Sequence, residues 1–276
     1  MILRVFPRAT AATPTDDMVR YGSPDWLDPP DCDEVHVSVA FSWDKSAGER
    51  LADEWSAVHN NVSLGGPAIS GSRGEFVPGR YLKLGHTITS RGCPRACWFC
   101  RVPKYEGPVA TLPIRDGWIV HDSNLLACPS DHILAVFEML RRQTERVVLA
   151  GGVDPRLVRP WHVEEMRKAS VARLYTAYDT PDDAEPLVEA GRLLKDGGMT
   201  RSSHLYCYIL VGYPGDSFGT AEERMRFAWD AGFCPAAMLY RDEKGNRSPE
   251  WKAFGRTWNR PAIVRAQFRA TAGAMP

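Results

Sequence analysis

Three cysteines fall within one short run, Ser90-Arg91-Gly92-Cys93-Pro94-Arg95-Ala96-Cys97-Trp98-Phe99-Cys100. Thiolates this close in the chain can wrap a single cubane iron–sulfur cluster, with Cys93, Cys97 and Cys100 each ligating one iron. The fourth iron of such a cluster has no protein ligand, so a small molecule can chelate there. Electron transfer alone is usually served by four cysteine ligands and no open site. The spacing also suits a structural zinc site. Zinc wants four closed ligands, and His86, His121 or Cys128 could supply the fourth.

Other positions carry weaker chemical signals. Gly151-Gly152 follows a predicted strand, where glycine lets the main chain approach a ligand closely or simply makes a turn. Tyr178-Asp179 ends another strand, and the Asp179 carboxylate could bind hydroxyl groups or serve the helix that begins after Thr180. Leu210-Val211-Gly212-Tyr213-Pro214-Gly215-Asp216 reads as a buried strand running into a Pro-Gly turn. Arg241-Asp242 follows a later strand and could anchor a polar or anionic substrate, or form a surface ion pair. Cys128, in Asn124-Leu-Leu-Ala-Cys128-Pro129, could donate a hydrogen atom, accept a group or ligate metal; isolated cysteines more often serve as small core residues.

The elements that must position these residues alternate between strand and helix. Residues 1–30 are rich in Pro, Asp and Thr and are expected to be irregular. Val35, Val37, Val39 and Phe41 alternate with polar or small residues as in a strand; Ala47, Leu51, Trp55 and Val58 recur at helical spacing; Val62–Leu64 forms a second strand ending at Gly65-Gly66-Pro67. Residues 1–80 are therefore expected to form an N-terminal arm and a small Rossmann-like βαβ unit. From 81 to 276, strands are predicted near 86–90, 146–150, 172–178, 205–211 and 235–240. Helices are predicted over 131–142, from 161, around Leu187, Ala190 and Leu194, from a capping box at Thr220 and Glu223, and from Ser248-Pro249 to Pro261. Five βα units in succession imply an α/β fold with a parallel sheet, closed or curved like a TIM barrel, or else a flat doubly wound sheet. Either arrangement puts ligands at the C-terminal ends of the strands.

Composition narrows the function classes. Lys and Arg total 34, as do Asp and Glu, so no broad basic surface for nucleic acid is expected. No apolar run approaches the roughly 18 residues of a membrane span, and the N-terminus lacks a signal-type apolar core. Seven cysteines, an odd number and mostly scattered, do not resemble a disulfide framework, and a cytoplasmic protein is expected.

The cysteine run resembles the signature of the radical S-adenosylmethionine (SAM) superfamily, Cys-x3-Cys-x2-Cys with an aromatic residue before the last cysteine, here Phe99. The resemblance implies a partial (βα)6 TIM-like barrel with the cysteine loop after its first strand. It also implies a [4Fe–4S] cluster whose open iron is chelated by SAM. One electron then cleaves the sulfonium S–C bond, and the 5′-deoxyadenosyl radical takes hydrogen from the substrate. By the same resemblance Gly151 and Gly152 meet the SAM amino group, Asp179 the ribose, and Leu210 the adenine. Val153 departs from the Glu that many members carry after the glycine pair. An external donor such as flavodoxin or ferredoxin would supply the electron.

Subfamilies separate by what the chain lacks. Only Cys32 lies upstream of the cluster run, unlike the three-cysteine N-terminal cluster of methylthiotransferases, and no cluster ligand follows Cys234. The small N-terminal unit with Gly65-Gly66-Pro67 looks like a shortened cobalamin-binding domain without the Asp-x-His-x-x-Gly motif, which argues against cobalamin while leaving a radical methyltransferase open. The runs Thr87–Cys93, Ala177–Asp182 and Met238–Asp242 resemble small radical SAM proteins of bacteria and their viruses. That setting points to a small-molecule, nucleotide or nucleobase substrate. The competing class is a non-catalytic zinc or iron–sulfur binding protein.

Overall fold

The structure, a computed structural model, describes residues 1–27, 30–69, 75–200, 205–242, 245–246 and 248–272, with backbone alone over 269–272. It divides into two compact units, Met1–Gly117 and Trp118–Pro276.

The first unit is built on a parallel sheet. Its elements are β1 (Ile2–Phe6), β2 (Val19–Tyr21), β3 (Glu34–Ser38), α1 (Lys45–Ser56) and β4 (Val62–Gly65), with the strands in the order β2-β1-β3-β4. Leu3, Val5, Val35, Val37, Leu51 and Trp55 pack together as its core. Each such side chain contributes roughly 1.5–3 kcal/mol on burial. The βα unit from β3 through α1 to β4 matches the sequence periodicity. The first thirty residues do not stay irregular, however: they supply β1 and β2, and β1 is interior to the sheet. Arg4 disguises β1, because a buried charge interrupts its apolar run. Its two terminal guanidinium nitrogens donate to the carbonyls of Gly79 and Arg80 and to the Asp16 carboxylate. Short elements complete the unit: β5 (His86–Thr87), β6 (Ser90–Arg91), α2 (Val102–Tyr105) and β7 (Ala110–Thr111).

The second unit repeats strand and helix: β8 (Ile119–Val120), α3 (Ser130–Arg141), β9 (Val147–Leu149), α4 (Pro160–Lys168), β10 (Val171–Ala177), α5 (Ala184–Asp196), β11 (Leu205–Val211), α6 (Phe218–Asp230), β12 (Cys234–Leu239), α7 (Pro249–Trp258) and α8 (Pro261–Ala272). These strands stand side by side in chain order and pair in parallel. A flat doubly wound sheet reverses its strand order at a switch point. No reversal occurs among the described strands of this unit.

Helical faces fall where the periodicity puts them. Ile133, Val136, Phe137 and Leu140 of α3 are buried, as are Leu187, Ala190 and Leu194 of α5. Two details differ from expectation. The capping box of α6 is Ser217 with Thr220 rather than Thr220 with Glu223, because the helix begins at Phe218 and Thr220 becomes its third residue. Pro261 ends α7 but also opens α8, since a proline at the first helical position gives up no hydrogen bond. No described helix is long and apolar enough to cross a membrane.

Candidate functional site

The cysteine loop is closed at its base. β6 and β7 pair antiparallel, Ser90 with Thr111 and Arg91 with Ala110, so residues 92–109 form one excursion. Inside it, the buried Glu106 carboxylate accepts the Gly92 N–H at 2.8 Å and pairs with Arg91 at 3.2 Å. Cys93 N–H donates to the Gly107 carbonyl at 3.3 Å, and Cys100 N–H to the Cys97 carbonyl at 3.0 Å. Gly92 sits at φ +86°, and a Cβ there would lie 2.2 Å from the Pro108 carbonyl oxygen. Only glycine fits that turn.

Cys93, Cys97 and Cys100 are half-buried and outside any disulfide. Phe99 is half-buried with its ring 5.4 Å from Trp98 in an edge-on contact, and Trp98 is 61% exposed. Among the described residues, no three His, Cys, Asp or Glu side chains gather closely enough to hold one metal ion. A cubane cluster does not ask for that, because each thiolate meets a different iron. Three soft, half-buried thiols on a pinned loop are a donor set that fits such a cluster.

The remaining predicted positions lie in the second unit. Gly151 packs against the end of β8: a Cβ would stand 2.0 Å from the Asp122 carbonyl oxygen, so the glycine is fixed by backbone contact. Gly152 follows at φ +91°. Asp179 and Leu210, distant in sequence, are brought together: Leu210 N–H donates to Asp179 Oδ1 at 2.8 Å. Leu210 is buried, and its carbonyl accepts from Arg224 at 2.8 Å. Arg224 also pairs with Asp216 at 2.7 Å and lies over the Tyr213 ring at 5.2 Å. Asp216 Oδ2 accepts the Gly212 N–H at 2.8 Å. The turn after β11 is thus held by one buried carboxylate and one arginine.

Four further residues lie elsewhere. Tyr178 turns to the helix-covered face, its ring 5.0 Å from Phe227 of α6, and burial raises its phenol pKa. Cys128 is buried just ahead of α3, its N–H donating to the Leu125 carbonyl. Asp242 folds the loop after β12, accepting from the Asn246 N–H at 2.7 Å and side-chain amide at 3.1 Å, with half-buried Arg241 beside it in sequence.

Sequence reasoning missed Glu106, Asp216 and Arg224. Asp216 could have been found, since an Asp just before a Ser-x-x-Thr helix start is a local signal for turn formation. The bond from Glu106 to Gly92 spans 14 residues of irregular chain and leaves no periodic trace.

No family model and no curated protein matches the sequence. Among solved structures, coproporphyrinogen III oxidase from Escherichia coli, described as a radical SAM enzyme, aligns at 12% identity and a TM-score of 0.45. The alignment covers 68% of this chain and 52% of that enzyme, about half its length.

Proposed function

We propose that this chain is a radical SAM enzyme that acts on a small molecule, nucleotide or nucleobase. The observation that carries the reading is the cysteine loop: three half-buried thiols in Cys-x3-Cys-x2-Cys spacing, with Phe99 ahead of the last, on an excursion tied at its base. Cys93, Cys97 and Cys100 would hold a [4Fe–4S] cluster, which with bound SAM supplies a one-electron reductive cleavage and a hydrogen-abstracting radical.

The chain's own residues then divide the work. Glu106 and Gly92 keep the thiols on a fixed loop. Gly151 and Gly152 present backbone without side chains. Asp179 and Leu210 join the ends of β10 and β11, so the carboxylate proposed to meet the ribose and the side chain proposed to meet the adenine move as one piece. The parallel, sequential strands of the second unit support the further reading of a partial barrel open at the strand C-termini. A reducing, cytoplasmic setting and an external flavodoxin or ferredoxin belong to the same proposal, since thiolates must stay reduced to hold the cluster. The N-terminal parallel sheet has no cofactor assigned to it.

Metal analysis after anaerobic reconstitution tests the assignment. About four iron and four sulfide per chain, lost in Cys93→Ala, Cys97→Ala and Cys100→Ala, is the expected result. One tightly held zinc with no cluster uptake would overturn it in favour of a structural site.

A further inference from the structure

Parallel sheets covered on both faces have strands that read as near-continuous apolar runs. β10 and β11 alternate instead. On the helix-covered face lie Leu174, Thr176 and Tyr178, with Leu205, Cys207, Ile209 and Val211, all buried. The opposite face carries Arg173, Tyr175, Tyr206 and Tyr208, half-buried or exposed. By the same period of two, Asp179 and Leu210 continue that face at the C-terminal end of the sheet.

The four side chains form one cluster. The Tyr175 ring stacks on Tyr208 at 5.2 Å and 8°, and on Tyr206 at 5.4 Å and 27°. The Arg173 guanidinium lies 5.6 Å from the Tyr206 ring centre, with Tyr175 and Tyr208 as its other electrostatic neighbours. Because the rings stack on one another, they offer their edges and hydroxyl ends rather than their faces. Ring edges carry partial positive charge, and phenol hydroxyls donate. Burial, and then Tyr175, holds the Tyr208 phenol above its ordinary pKa, so it remains a donor at neutral pH. Among the described residues no carboxylate pairs with Arg173; its partners are the tyrosines. On β12 the residue opposite Tyr208 is Ala236, whose small side chain leaves room beside the ring, and Met238 stands opposite Leu210.

We propose that Arg173, Tyr175, Tyr206 and Tyr208 form a binding site for an oxyanion, a carboxylate or phosphate, carried by the substrate. A guanidinium with no acidic partner among the described residues, set beside phenol donors, is complementary to such a group. Calling the ligand the substrate rests on the radical enzyme reading, because this face leads to Asp179 and Leu210; the anion binding itself does not depend on it. A neutral substrate would leave the cation unanswered.

The test uses the full chain without cluster or SAM, so a failure to load iron does not touch it. Binding of phenyl phosphate, benzoate and neutral benzamide is measured by ligand-observed NMR titration. At least one anion should bind 10-fold or more tightly than benzamide, on the order of the advantage of a charged hydrogen bond. The tighter of the two identifies phosphate or carboxylate as the source. Arg173→Gln should weaken that anion by about 10- to 100-fold, Tyr208→Phe by about 5-fold, and Arg173→Lys by less than the Gln change. Thermal melts of the variants check that each is folded. Binding of benzamide as tight as the tighter of the two anions, no binding of any probe, or an unchanged affinity in folded Arg173→Gln would overturn the site. In that event a chain that still forms 5′-deoxyadenosine would keep the radical reading and lose only this one.

Discussion

Replacing Asp216 by Ala should destabilise the second unit more than any other single change in the turn after β11. The Asp216 side chain has no solvent exposure, and that of its partner Arg224 is 15% exposed. The carboxylate accepts from Gly212 N–H at 2.8 Å, Ser217 N–H at 3.0 Å and the Thr220 hydroxyl at 3.1 Å, besides the ion pair. Removing one member of a buried ion pair strands the other charge and costs about 3–5 kcal/mol. The orphaned Gly212 and Ser217 N–H groups add to this where water cannot reach them. For a unit of this size each kcal/mol lowers Tm by roughly 2–4 °C, so the expected fall is about 6–20 °C. Differential scanning fluorimetry on the wild type and Asp216→Ala reads it directly. The double variant Asp216→Ala, Arg224→Met should recover part of the loss, because no stranded charge remains. A Tm within about 2 °C of wild type for the single variant, or a double variant whose loss relative to wild type equals the full sum of the two single losses, would refute the reasoning.

Other positions yield sharper, smaller tests. Gly92→Ala should reduce cluster uptake, measured as iron per chain, because its Cβ would lie 2.2 Å from the Pro108 carbonyl oxygen at a φ of +86°. Gly151→Ala should cost at least 1–3 kcal/mol in urea unfolding, roughly the range for overpacking, since the clash is with the backbone of Asp122. The His162 imidazole, whose Nδ1 accepts the Arg159 N–H, is held down to about 4 from 6.5 by burial and then by the Arg159 charge. The unfolded chain therefore takes up a proton below pH 6.5 that the folded chain refuses until about pH 4, and stability falls by roughly 2–3 kcal/mol across that window. His162→Gln should flatten that part of a denaturant-midpoint profile between pH 7 and 4.

The parts of the fold that sequence discloses are those with local periodicity. Leu187, Ala190 and Leu194 recur on one helical face, and the run Leu205–Val211 is apolar enough to read as a buried strand, so the βα repeats of residues 118–258 follow from pattern. β1 escapes because Arg4, a charge in a short apolar run, is neutralised by Asp16 and by two carbonyls some 75 residues downstream. The site divides along the same line. Cys93, Cys97 and Cys100 are legible because their ligand chemistry lies within one loop. The bond from Leu210 to Asp179 spans 31 residues and is made only when β10 and β11 pair, so the sequence offers two candidates without linking them. The cluster of Arg173, Tyr175, Tyr206 and Tyr208 left a readable trace, the period-two spacing of Arg173 with Tyr175 and of Tyr206 with Tyr208, but its meaning depends on parallel pairing that sets Tyr175 beside Tyr206.

The most direct test of the central claim is anaerobic. The chain is reconstituted with iron and sulfide, given SAM and dithionite, and assayed for 5′-deoxyadenosine. The account predicts that the product forms with the wild-type chain and is absent with Cys97→Ala. Product formation undiminished in Cys97→Ala, or none from a fully loaded cluster across candidate nucleotide and small-molecule substrates, would contradict it.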